Sequence, residues 1–237
     1  MPKEGNSEAE YEDAYFPRHS ERRKGQKLRF AVADGATESS FSGLWARLLV
    51  SAFVHREVNF TFAPDELRPL QDKWKKSFDG KVLAWYAEEK LADGAFAALI
   101  GLEVVEDVKR TWRAVAVGDS CLVQVRDEEI IAAFPLQNSA SFTNRPDLLS
   151  SLPSNEANQR GTMLNKEGIW CGNDTFFLMT DALAYWFFKE KEANRQPWDV
   201  LRNLDTQIFF QKWVASLRLS HAIKNDDVTL VRINLAG

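Results

Sequence analysis

The 237 residues are 45% hydrophobic and 27% charged, as is usual for a globular domain with a substantial core. The net charge of -4 argues against nucleic-acid binding, which needs a basic surface. No apolar run approaches the roughly 20 residues of a membrane span, and the polar first residues lack the apolar segment of a secretory signal. We therefore expect a cytoplasmic protein with no membrane or nucleic-acid partner. We also expect a single domain over residues 1–237, of which residues 1–8 are flexible.

The first half of the chain alternates strand-like and helix-like patterns. Residues 28–34 (LRFAVAD) have the composition of a β-strand. Apolar residues then recur between positions 44 and 53 with helical spacing. Pro64 is followed by two acidic residues, as at the start of a helix. A further helix is predicted over Lys81 to Leu91.

The middle of the chain contains two long strand-like runs, residues 95–105 and 111–127, joined by a charged turn. We expect them to be antiparallel neighbours. Residues 134–168 are rich in Ser, Asn and Pro and predict a loop or flap, in which Arg145 is a candidate for controlling access to a site.

The last third predicts a strand over residues 174–181, three helices, and a closing strand over residues 226–235. Strands broken by paired helices, with mostly antiparallel neighbours, indicate the α+β class.

Five acidic motifs lie beside these predicted strands. They are Glu12-Asp13 in EYEDA, Asp34-Gly35 in VADGA, Asp119 in VGDS, Asp181 in MTDA and Asp226-Asp227 in NDDVTLV. Taken singly, each is most simply a turn or strand-edge residue, because Asp and Gly are favoured in turns. Brought together, their oxygen atoms would suit hard cations such as Mg²⁺ or Mn²⁺.

The order and context of these motifs resemble the 2C-type metal-dependent protein phosphatases, particularly the bacterial branch. The resemblance runs from about Tyr11 to Leu235. It implies a four-layer αββα sandwich, in which two antiparallel sheets are flanked by helices. It also implies hydrolysis of phosphoserine and phosphothreonine by direct attack of a metal-bridging water or hydroxide. The partner would be a phosphorylated protein, and the enzyme would oppose a serine/threonine kinase.

The resemblance also implies roles for individual residues. Asp34 would bridge two Mn²⁺ or Mg²⁺ ions and the Gly35 carbonyl would complete one of them, while Asp181 and Asp226 would hold the other. Asp119, with Asp181, matches an additional, third metal position. Glu12 and Asp13 would order metal-bound waters. Asp227 stands where the family usually has Asn, and the extra charge is expected to tighten or distort the site.

Some departures from the family pattern leave an alternative open. Eukaryotic members have a histidine after the central Asp-Gly, where this chain has Ala36, and an arginine shortly before the Glu-Asp pair, where this chain has none. Arg18, Arg22 or Arg23 are candidate substitutes. The alternative function is a pseudophosphatase, a binding module that recognises a phosphoprotein or kinase. A haloacid-dehalogenase-type enzyme is disfavoured, because its chemistry needs an aspartate at the position of Ala36.

Overall fold

In the computed structural model, two antiparallel β-sheets pack face to face between two layers of helices. The structure describes residues 1–17, 27–37, 41–82, 84–153 and 162–235. The strands are β1 (Ala14–Phe16), β2 (Lys27–Gly35), β3 (Phe96–Val105), β4 (Thr111–Val117), β5 (Cys121–Arg126), β6 (Glu129–Phe134), β7 (Leu149–Ser150), β8 (Leu164–Ile169), β9 (Thr175–Met179) and β10 (Leu230–Asn234). The helices are α1 (Ser42–Val54), α2 (Pro64–Lys76), α3 (Trp85–Asp93), α4 (Asp181–Glu192), α5 (Pro197–Arg202) and α6 (Gln207–Leu219). This architecture confirms the predicted α+β class and its two antiparallel sheets.

Neither of the two described sheets is formed by one continuous run of strands along the chain. The first has the order β1-β2-β3-β4-β8, with β7 also paired to β3, and the second has the order β10-β9-β5-β6. Every pairing between the described strands is antiparallel. Asp34 lies near the end of β2, opposite Ala98 of β3, so its position is fixed by a continuous ladder.

Successive side chains of a β-strand point to opposite faces of its sheet, so buried apolar residues form layers on both faces of each sheet. Three apolar layers result, one between the sheets and one between each sheet and its helices. In β2, Ala31 and Ala33 face α1 and α2, whereas Phe30 and Val32 face the second sheet. In β9, Phe177 packs against the helices α4 to α6 and Phe176 packs between the sheets. The central strands β3 and β9 are therefore buried on both faces, whereas the edge strand β8 is mostly exposed.

The predicted strand over residues 111–127 is two strands in different sheets. Gly118 interrupts it with a φ of 91°, a conformation that side chains rarely adopt. A Cβ at Gly118 would also lie 2.6 Å from the Cβ of Ala98 and 2.8 Å from the carbonyl of Asp147. The chain therefore passes from the first sheet to the second at residues 118–120, and Asp119 lies at the crossing.

The structure also differs from other local expectations. Strand β7 and all but the last residue of β8 lie within the range 134–168 that the sequence predicts as a loop or flap, and residues 154–161 of that range lie outside the described part of the chain. The third helix begins at Trp85, later than predicted. At the amino terminus, Met1 donates to Val228 O at 2.6 Å, and Lys3 N donates to Asp227 Oδ1 at 2.7 Å. The first residues, expected to be flexible, thus make specific hydrogen bonds.

Within the described residues, none of the helices has the length and apolar character needed to cross a membrane.

Candidate functional site

One cavity of about 950 Å³ gathers four of the predicted carboxylates. They come from distant parts of the chain: Asp34 from β2, Asp119 from the crossing between β4 and β5, Asp181 from the start of α4, and Asp226 from the segment before β10. Asp34 lies near the end of β2 and Asp181 at the start of α4, whereas Asp119 and Asp226 lie in connections between elements. The predicted convergence of these residues is therefore present in the structure.

Local structure holds two of these carboxylates in place. Asp181 is the first residue of α4, where its Oδ1 accepts from the Ala182 N–H at 2.5 Å and the helix dipole favours negative charge. Asp226 accepts from the Asp227 N–H at 3.0 Å through Oδ1. The buried guanidinium of Arg218 donates to the Asp226 carbonyl at 2.5 Å and fixes the backbone there.

The crowded carboxylates perturb one another. Burial, followed by the charges of Asp13, Asp181, Asp119 and Asp226, raises the pKa of Asp34 well above its usual range. Burial and the nearby charge of Asp181 raise the pKa of Asp119 to about 7. The pKa of Asp181 is also raised, mainly by burial. Such mutual repulsion marks a site that favours a cation.

Asp13 lies behind the cavity and is only 2% exposed. Its Oδ2 accepts hydrogen bonds from the hydroxyls of Thr229 at 2.7 Å and Thr180 at 3.1 Å. Its Oδ1 is buried and has no hydrogen-bond partner among the described residues. Burial raises the pKa of Asp13 to about 8, and the charges of Asp227 and Asp181 add to this effect. Asp13 thus contributes a buried oxygen that lacks a donor, next to the predicted metal ligands.

Glu12 does not line the main cavity. Its Oε1 accepts from the Ser42 hydroxyl at 2.7 Å, and its Oε2 lies 3.9 Å from the Lys3 ammonium. A Cβ on Gly35 would lie 2.7 Å from the Glu12 carbonyl, so only glycine allows this close approach beside Asp34. The structure thus places the Glu12 side chain against the start of α1, outside the cavity that Asp34 lines.

Asp227 has a structural role that the sequence did not indicate. It is 5% exposed and does not line the cavity. Its Oδ2 accepts from the Glu12 N–H and its Oδ1 from the Lys3 N–H, both at 2.7 Å. The extra carboxylate therefore joins the amino-terminal segment to the segment that carries Asp226, and we find it engaged there rather than in the cavity.

Sequence reasoning missed the cations of this cavity, apart from Arg145. Lys90 of α3, Arg145 and Lys224 all line it. The Lys224 Nζ lies 2.7 Å from Asp226 Oδ2 and 3.6 Å from Asp181 Oδ2. Arg145 is exposed and has no ion-pair partner within the described ranges. The proposed substitutes Arg18, Arg22 and Arg23 lie outside the described residues.

The carboxylates do not form a closed cage. No group of three or more His, Cys, Asp or Glu side chains in the described part of the chain is arranged to hold a metal ion by itself. Instead, the ammonium of Lys224 stands beside two of the four carboxylates.

Comparison with known proteins gives the family. The family model described as "Protein phosphatase 2C" matches residues 6–219, which include all the acidic motifs except the last. No curated protein matches the chain.

Several solved structures share the fold. The S. agalactiae serine/threonine phosphatase is 12% identical, with a TM-score of 0.59 over 99% of this chain and 96% of that one. The catalytic domain of the serine/threonine protein phosphatase PstP, solved with two manganese ions, is 15% identical, with a TM-score of 0.56 over 98% and 95%. The photosystem II phosphatase PBCP is 18% identical, with a TM-score of 0.54 over 93% and 77%. The chain belongs to the protein phosphatase 2C family.

Proposed function

We propose that this chain is a Mn²⁺- or Mg²⁺-dependent phosphatase that hydrolyses phosphoserine and phosphothreonine in proteins, opposing a serine/threonine kinase. The observation that carries the proposal is the convergence of Asp34, Asp119, Asp181 and Asp226 on one cavity, within a chain of this family. The manganese ions of the PstP catalytic domain support the choice of metal.

The residues present fit divalent cations. Carboxylate oxygens are the ligands that Mg²⁺ and Mn²⁺ prefer. Burial and the charges of neighbouring carboxylates raise the pKa of both Asp34 and Asp119, and a cation bound between them would relieve that repulsion. Asp34, Asp181 and Asp226, with the Gly35 carbonyl, would hold two ions, and Asp119 with Asp181 would hold a third. When bound, these ions would supply positive charge to the phosphoryl group and activate water.

Residues behind the cavity would position the ligands. The unpartnered Oδ1 of Asp13 is an acceptor for an ordered water, while its Oδ2 is fixed by two threonine hydroxyls. Glu12 would act one step further away, because its side chain is engaged by Ser42 and Lys3.

Arg145 is the side chain best suited to bind the phosphoryl group. It lines the cavity on a segment between β6 and β7, is exposed, and has no ionic partner in the described part of the chain. A guanidinium binds phosphate through two parallel hydrogen bonds. The cavity would thus receive from this loop the guanidinium that residues 1–11 lack.

A second function, a phosphoprotein-binding module without hydrolysis, is favoured by one observation. The ammonium of Lys224 lies where a metal ion would contact Asp181 and Asp226. If Lys224 stays in place when other cations are present, the site would bind its partner without cleaving it.

Hydrolysis of an aryl phosphate and of a phosphopeptide, with Mn²⁺, Mg²⁺ or EDTA, tests the proposal. We expect hydrolysis only with metal, and its loss in Asp34→Asn. Asp72→Asn, which removes an exposed carboxylate from α2 away from the cavity, serves as the matched control and should retain activity. Activity that persists in EDTA would contradict the metal-dependent assignment. Calorimetric Mn²⁺ binding without cleavage of either substrate would instead support the binding module.

A further inference from the structure

Lys224 is the cation closest to the carboxylates of the cavity. Its Nζ lies 2.7 Å from Asp226 Oδ2, a charge-assisted hydrogen bond, and 3.6 Å from Asp181 Oδ2. The two carboxylates belong to separate elements, the start of α4 and the segment before β10. One ammonium therefore bridges two parts of the fold at the point where their negative charges meet.

Hydrogen bonds of the backbone around Lys224 hold the lysine next to Asp226. The Asp226 N–H donates to the Lys224 carbonyl at 3.0 Å, which closes a tight turn. Arg218 donates to the Asp226 carbonyl from the buried side. The turn thus places the lysine stem and the Asp226 carboxylate side by side, while 65% of the Lys224 side chain stays exposed.

We propose that Lys224 is a built-in counter-ion of the Asp181 and Asp226 carboxylates, and that a divalent cation must displace its ammonium to bind this pair. The displacement rests on the proposed function. Because the lysine stem is flexible and exposed, the ammonium can move outward within the cavity without rearranging the fold. The displaced cation would remain at the mouth of the cavity, where a phosphoryl group would enter.

Two other cations of the cavity do not have this role. Lys90 and Arg145 line the same cavity, and neither forms an ion pair with the four carboxylates in the described ranges. Lys90 is therefore a matched control for the loss of a positive charge near the site. Replacing Lys224 by Met keeps an unbranched apolar side chain of similar length and removes the ammonium, with its charge and its hydrogen bond to Asp226. Replacing it by Arg keeps the charge.

Calorimetric titration of the full chain with Mn²⁺ tests the displacement. An exposed ion pair is modest in strength, so we expect Lys224→Met to bind Mn²⁺ about fivefold more tightly than the wild type. Lys224→Arg should stay close to the wild type, and Lys90→Met should change affinity by less than about twofold. A high salt concentration screens the ion pair between Lys224 and the two carboxylates, so it should reduce the difference in Mn²⁺ affinity between Lys224→Met and the wild type.

Thermal unfolding in EDTA gives a second readout that needs no metal. Without its counter-ion the carboxylate pair repels itself, so Lys224→Met should lower the melting temperature by about 2 °C, whereas Lys90→Met should not. Unchanged Mn²⁺ affinity in a Lys224→Met protein whose parent binds Mn²⁺ and hydrolyses phosphoesters would overturn the inference and leave the proposed function standing. Absence of Mn²⁺ binding in all four proteins would refute the proposed function and the displacement together, even if the melting temperature falls as expected.

Discussion

Replacing Asp13 by Asn should stabilise the metal-free protein at alkaline pH and weaken its binding of metal. Asp13 is buried, its Oδ2 accepts from two hydroxyls, and its Oδ1 has no partner among the described residues. An Asn side chain has the same shape. Its carbonyl can accept from the hydroxyls of Thr180 and Thr229, and its amide can occupy the position of the unpartnered oxygen. The substitution therefore removes a buried negative charge and preserves the packing.

The sign of the pH dependence follows from the direction of the pKa change. The pKa of Asp13 rises from 3.8 to about 8 on folding. Below about pH 4 the carboxyl is protonated in both states and has no effect on stability. Between about pH 4 and pH 8 it is ionised only in the unfolded state, so the folded state loses stability as the pH rises. Above about pH 8 the penalty is complete.

The size of the effect has an upper limit set by the same values. A rise of about four pKa units, at roughly 1.36 kcal/mol each, corresponds to about 5–6 kcal/mol. Relaxation and entry of water reduce such penalties, so we expect a gain of about 2–3 kcal/mol for Asp13→Asn at pH 8.5. The gain should approach zero near pH 4. Asp34 and Asp119 remain in the variant, so the pH dependence should become shallower but should not vanish.

Urea unfolding in EDTA at several pH values measures the effect directly. The free energy of unfolding of the wild type should fall more steeply with pH than that of Asp13→Asn. Saturating Mn²⁺ should then stabilise the wild type more than the variant, because the variant has lost one negative charge near the site. Parallel pH profiles for the two proteins would refute the reasoning, since they would show that Asp13 does not carry a buried charge.

Three further substitutions test the remaining assignments. Arg145→Ala should raise the KM for a phosphopeptide about tenfold and leave the affinity for Mn²⁺ unchanged. The control Arg68→Ala, on the exposed side of α2, should change neither the KM nor the Mn²⁺ affinity. An unaltered KM in Arg145→Ala would exclude Arg145 as the phosphate-binding residue. Asp227→Asn should lower the free energy of unfolding by about 1–3 kcal/mol, because the two oxygens of the carboxylate each accept from a backbone N–H group and an amide has only one such oxygen. Equal urea midpoints for the wild type and Asp227→Asn would contradict this structural role. Gly35→Ala should destabilise the protein and reduce Mn²⁺ affinity, because its Cβ would meet the Glu12 carbonyl at 2.7 Å; unchanged melting and metal binding would show that the backbone accommodates it.

The sequence predicted the acidic residues of the cavity because each follows or precedes a strongly patterned element. Asp34 ends the strand-like run at residues 28–34, and Asp181 separates a strand pattern from a helix pattern, so both were expected at a sheet rim. Periodicity could not show that residues 111–127 form two strands. Gly118 breaks the run through its positive φ and through contact with Ala98 and Asp147, which is a tertiary constraint. The placement of Asp119 between two sheets follows only from that contact.

The charges that balance the carboxylates could not be read from the sequence. Lys224 precedes Asp226 by two residues, a spacing with no regular meaning outside a helix or strand, and its contact with Asp181 depends on the tertiary structure. Asp226 and Asp227 are adjacent and have the same side chain, yet the Asp226 carboxylate lines the cavity and the Asp227 carboxylate accepts hydrogen bonds from backbone N–H groups. Neighbouring residues at the entry to a strand point in opposite directions. The sequence contains both acids, but the choice between them depends on which face meets the amino-terminal segment.

The arrangement links stability to the presence of cations. The packed sheets hold Asp34, Asp119 and Asp181 close together, and burial and mutual repulsion raise the pKa of each. In the metal-free protein at neutral pH, this crowding costs stability, which the ammonium of Lys224 offsets in part. A bound divalent cation would remove the same penalty and displace the ammonium of Lys224. Relief of the repulsion between the carboxylates would therefore contribute to the free energy of cation binding. A rigid sandwich is needed for this purpose, because a flexible scaffold would relieve the repulsion by moving the carboxylates apart.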